Sequence, residues 1–97
     1  MVAEEVLSIL KKDFDLPVET KVADEDSLFR LLVPIVHRML DREFERLLQI
    51  CYRIDIGEEK LKKILHESPP ENMAEELTRA MIDRQVQKIE IRKKYSK

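Results

Sequence analysis

Leucines, isoleucines and valines recur along this chain at helical spacing, and their intervals predict a succession of helices joined by short corners. Val6, Ile9, Leu10 and Phe14 mark the inner side of a first helix running from Val2 to about Asp13. Pro17 ends that potential, because the residue before a proline is pushed towards extended geometry. Residues 15–26 then read as an acidic loop, and Asp24, Asp26 and Ser27 are all competent N-caps for the helix that follows.

From Leu28 to Ile54 the apolar recurrence continues without a gap, which predicts one long central helix. Leu40, Phe44, Leu47, Cys51 and Ile54 alternate steps of four and three, a heptad-like seam. Leu48, Ile50 and Tyr52 lie off that seam, so the last turns are apolar over most of their circumference and call for neighbours on several sides. Pro34 interrupts this helix by removing the hydrogen bond to Arg30, at a cost of about 3 kcal/mol. Val33 is a poor cap for a fresh start, so a kink at Pro34 is expected rather than a break. Straight, the helix would be about 40 Å long, against about 25 Å for the diameter of a compact domain of this size.

The single glycine, Gly57, sits at the corner where this helix must stop. Two readings compete there. Asp55 can cap with Glu58 reaching back, or Gly57 can cap with Ile56 and Leu61 as a hydrophobic staple. The second is preferred because it buries Ile56. A short helix from Glu58 to about His66 presents Leu61, Ile64 and Leu65. Ser68-Pro69-Pro70-Glu71 then supplies an N-cap serine, a proline at the first helical position and a glutamate at the third. The last helix, Pro69 to about Tyr95, turns Ala74, Leu77, Met81, Val86 and Ile89 inward. The expected fold is a single all-α domain over 1–97: a small bundle of three to four helices around the kinked helix 28–54.

Charge changes this picture in one respect. The chain is 39% charged, well above an average soluble domain, yet its net charge is only −2. That value hides a gradient. Residues 1–27 hold eight acids against three bases, and residues 84–97 hold six bases against one acid. Residues 15–26 are therefore expected either as a mobile arm or folded across the basic end of the last helix, within one subunit or between two.

One glycine leaves almost no means of building a phosphate loop or a nucleophile elbow. The lone cysteine, Cys51, cannot form an internal disulfide, and it falls on the seam, where a buried, unreactive thiol is expected. His37 and Asp41 share a helix face but lack further ligands, and His66 suits a helix C-terminus. No enzyme, cofactor, metal site or small-molecule substrate is expected. No apolar run approaches the length of a membrane span, and Met1-Val2-Ala3-Glu4-Glu5 is not a signal peptide, so a cytoplasmic setting is expected.

Arg38, Arg42 and Arg46 form a stripe beside Asp41 and Glu45, a self-neutralising face. Tyr52-Arg53-Ile54-Asp55 is the more promising element. The tyrosine can bury its ring and still use its hydroxyl, and Asp55 is expected to pair with Arg84 or Lys88 and so fix how the last helix docks. Arg84, Lys88 and Arg92, extended by Lys93, Lys94 and Lys97, form a basic stripe able to meet phosphates, although Glu90 interrupts it and only Tyr95 could stack on a base. Tyr52, Arg53, Asp55, Arg84, Lys88 and Arg92 are thus the candidate docking residues.

The segments Phe44-Glu45-Arg46-Leu47-Leu48-Gln49-Ile50-Cys51-Tyr52-Arg53-Ile54-Asp55-Ile56-Gly57-Glu58-Glu59-Lys60 and Arg84-Gln85-Val86-Gln87-Lys88-Ile89-Glu90-Ile91-Arg92 resemble a group of small, uncharacterised bacterial all-helical proteins. The resemblance covers roughly the second half of the chain. It implies a bacterial cytosolic setting and carries over no activity, cofactor or site residue. The reading that results is a non-catalytic module that forms a homodimer or docks on a protein partner. The alternative is a nucleic-acid-associated protein using the basic last helix.

Overall fold

The computed structural model describes residues 2–95 and contains five helices: α1 Val2–Lys11, α2 Glu25–Arg42, α3 Phe44–Arg53, α4 Glu58–Glu67 and α5 Pro70–Tyr95. The all-α class is as expected. The helices number five because the stretch 28–54 divides.

α2 and α5 form the central pair, α1 packs against both, and α4 leans on α5. Leu28, Leu32 and Val36 of α2 meet Leu77, Met81, Ile82 and Ile89 of α5, with Val6 and Leu10 of α1, in a core closed to solvent. α5, with 26 residues, is the longest of the five helices, in a molecule extending 41 × 30 × 21 Å.

The division falls at Glu43, and α2 runs on through Pro34. Pro34 is exposed, whereas Leu32 and Val36 on either side are fully buried. Burying a side chain of this kind is worth about 1.5–3 kcal/mol, so the apolar stripe can offset the proline's cost. Glu43, at φ −138° and ψ 49°, ends α2 and opens α3: its amide donates to Met39 O at 2.8 Å and its carbonyl accepts from Leu47 N at 3.0 Å. The expected seam breaks there as well. Met39 is buried in preference to Leu40, and Phe44 stands 42% exposed, while Leu47, Cys51 and Ile54 are buried as expected. α2 and α3 each bury their own arc: Leu28, Leu32, Val36 and Met39 on one, Leu47, Ile50 and Cys51 on the other.

The corners are chemically specific. Asp24 is the cap chosen for α2, its Oδ1 accepting from Ser27 N and from Ser27 Oγ, both at 2.8 Å. Gly57 opens α4 at φ +102°, a region closed to most L-residues, with Ile56 and Leu61 buried on either side of it. Ser68 corrects one expectation. It ends α4, its amide donating to Ile64 O at 3.1 Å, and α5 begins at Pro70. Pro69 favours extended geometry at the residue before it, and Ser68 adopts it at ψ 137°.

α1 and α3 end alike. In each, an aspartate stands just past the helix with positive φ, Asp15 at 53° and Asp55 at 64°. The next amide reaches back five residues: Leu16 N to Lys11 O at 3.0 Å, Ile56 N to Cys51 O at 3.2 Å. These are Schellman closures. Aspartate occupies the position that glycine usually fills, so each helix end needs support from elsewhere.

Candidate interaction site at the corner of α3 and α5

That support comes from arginines on other helices. Arg84 of α5 donates from Nε to Asp55 O at 2.9 Å and from Nη2 to Asp55 Oδ2 at 2.8 Å. The neighbouring Gln85, 2% exposed, donates from Nε2 to Ile54 O at 2.6 Å. Two carbonyls left over at the end of α3 are therefore satisfied by successive residues of α5. The hydrogen bond from Arg84 holds the Asp55 carboxyl below its ordinary pKa, aided by the charges of Arg84 and Lys88. Of the two partners anticipated for Asp55, Arg84 makes the contact and Lys88 acts through its charge.

The same device recurs at the end of α1. Arg46 of α3 reaches Asp13 O at 3.1 Å and the Asp15 carboxylate, and its Nη1 meets Glu43 Oε1 at 3.0 Å. Arg53 Nη1 lies 2.7 Å from Oδ1 of Asp13, whose side chain is almost wholly enclosed. The start of the acidic segment after α1, at Asp13 and Asp15, is thus held by α3. The contact with the basic end of α5 is made instead by Glu5 of α1, 3.0 Å from Lys93 Nζ.

Tyr52 departs from expectation. It is 60% exposed, because the inner arc of α3 is taken by Leu47, Ile50, Cys51 and Ile54 and Tyr52 falls outside it. Phe44, half-buried Leu48 and Tyr52 follow one another at intervals of four residues and form an apolar stripe on the outer side of α3. Arg92 is exposed and forms no ion pair among the described residues, and Lys97 lies outside those residues.

The remaining candidates are brought together with nothing. Cys51 is buried, and burial pushes its thiol up to about 12, so it carries no thiolate near neutrality. His37, Asp41 and His66 are all exposed, and no three His, Cys, Asp or Glu side chains converge among the described residues. Arg42 turns to Asp41 at 3.7 Å while Arg46 is drawn to α1, so the arginine stripe is split by the corner at Glu43. An open groove of about 570 Å³ lies between α2, α4 and α5. Its lysines (Lys60, Lys63) and acids (Glu67, Glu75, Glu76, Asp83) are interspersed, and its one apolar wall residue from α2, Phe29, is covered by the Arg79 guanidinium 4.4 Å from its ring centre.

Gln85 and Asp13 were not singled out from sequence, and Arg46 was read only as part of a self-neutralising stripe. Gln85 does lie three residues from Ile82 and four from Ile89, the spacing of an inner face. The contacts that join Asp13 to Arg46 and Arg53 gave no local signal, since these partners lie more than thirty residues apart.

Comparison with protein-family models, with curated proteins and with solved structures finds no match.

Proposed function

We propose that this chain is a non-catalytic helical module that works by docking, through self-association or on another protein, with the outer side of α3 as its contact face. The observation that carries this reading is the exposure of Phe44 and Tyr52, two large aromatic side chains flanking Leu48 on one short helix. Aromatic residues are enriched where protein surfaces meet, and Tyr does not need full burial to contribute. The charged candidates support it differently. Arg53, Asp55 and Arg84 are engaged with partners inside the fold, so they hold the corner that presents Tyr52. The cytoplasmic setting belongs to the same reading; no helix among the described residues is long and apolar enough to cross a membrane.

A second reading rests on the end of α5, where Arg92, Lys94 and Tyr95 are exposed together. Two members of the basic stripe, Arg84 and Lys93, already hold carboxylates, which leaves a smaller footprint for phosphates.

Light scattering behind a sizing column, over a dilution series at two salt concentrations, tests the first reading. An apolar contact predicts association that persists in salt. A strict monomer that captures no protein partner overturns it. Binding to nucleic acid that weakens steeply with salt supports the second reading.

A further inference from the structure

We infer that the occupant of the α3 face is a second copy of this chain, docked antiparallel about a two-fold axis passing beside Leu48 and Gln49. This deepens the docking reading above and rests on it. The argument is the self-complementarity of the face. Glu45 lies near the start of α3 and forms no ion pair among the described residues, while Arg53, eight residues on, has an exposed side chain with only Nη1 engaged by Asp13. Both lie on the same flank of the helix, on opposite sides of Gln49.

A two-fold axis between Leu48 and Gln49 reverses the second helix and brings Glu45 of each copy to within one residue's rise, about 1.5 Å, of Arg53 of the other, twice per dimer. The same operation sets Phe44 of each copy beside Tyr52 of the other and Leu48 against its own counterpart. Aromatic contacts then fall at both ends and the aliphatic contact at the centre. A parallel arrangement would set Glu45 against Glu45 and Arg53 against Arg53, and like charges disfavour it. The ten residues of α3 span about 15 Å, so the contact falls in the small class of transient interfaces rather than among permanent dimers.

The test is sedimentation equilibrium on the whole chain, up to about 1 mM because small interfaces bind weakly. A reversible monomer–dimer equilibrium is expected. Glu45→Arg and Arg53→Glu each place like charges at both contacts and weaken association about tenfold, while an equimolar mixture of the two variants recovers it. Arg53→Glu also faces Asp13, so its melting is recorded alongside; Tyr52→Asp, which touches no ion pair, weakens the dimer independently. Gln49→Cys forms an oxidised dimer readily, whereas Asn72→Cys on α5 does not. A dimer indifferent to Glu45→Arg and Tyr52→Asp overturns the α3 mode and leaves self-association standing. A monomer at every concentration overturns the second copy as occupant and leaves docking on another protein as the form of the reading to be pursued.

Discussion

Arg84 holds Asp55 from a separate helix: its Nε donates to the Asp55 carbonyl at 2.9 Å and its Nη2 to Oδ2 at 2.8 Å, at a residue whose φ is +64°. A left-handed aspartate is less comfortable than a glycine. The arginine grips both the backbone and the side chain of the residue that turns α3 towards α4.

Asp55 variants should separate the backbone effect from the ion pair. Asp55→Ala loses the pair and keeps a Cβ at positive φ, so it should lower the melting temperature more than Asp55→Gly, which relieves the backbone. Asp55→Asn should be the mildest at neutral pH. Because the hydrogen bond from Arg84 depresses the folded-state pKa of Asp55, its contribution is present above the unfolded value, about 4, and is lost as pH falls below it. Melting curves between neutral pH and acid should therefore fall less steeply for Asp55→Asn than for the native chain.

Gln85→Leu removes the donor to Ile54 O and leaves a buried carbonyl without its partner. The expected loss is about 1–3 kcal/mol, measured by urea unfolding, with no change in the slope. Gln85→Glu should be worse near neutral pH, since it also buries a charge among apolar neighbours.

Cys51 should resist thiol reagents in the folded protein at pH 8 and react at once in denaturant. Its pKa is raised in the folded state to about 12 by burial. The folded state therefore holds the proton longer than the unfolded chain, so stability is complete below the unfolded thiol value and declines as pH rises from there towards 12. Cys51→Ala should flatten that alkaline decline, at the cost of a small cavity.

Pro34→Ala restores an amide to an unbroken helix. The chain already tolerates the proline without ending α2, so alanine should raise stability by about 1–3 kcal/mol. A change of the opposite sign in urea unfolding would mean that the proline's restriction of the unfolded chain outweighs the missing hydrogen bond.

Much of the fold was legible because it depends on neighbours in sequence. The spacing of Val6, Leu10 and Phe14, the staple of Ile56 and Leu61 across Gly57, and the inner positions Ala74, Leu77, Met81 and Ile89 are set within a few residues of each other. The corner at Glu43 was not legible. Pro34 is the louder local signal, but the burial of Leu32 and Val36 against α5 overrides it. Glu43 carries no turn signature at all. The exposure of Tyr52 was hidden for a related reason: an apolar residue near a corner reads as buried until the neighbouring helices are placed.

By itself, then, the sequence determined the all-α class, most of the inner faces of the first, fourth and last helices, the buried place of Cys51 and the pairing of Asp55 with the last helix. Each follows from short-range periodicity, capping chemistry or a charge facing its opposite. Only the tertiary structure decided where the long helix divides, which arginine closes which helix end, and that Phe44, Leu48 and Tyr52 remain as a stripe on the outside. Those outcomes depend on which surfaces the packed helices cover, and coverage depends on contacts between residues far apart in the chain.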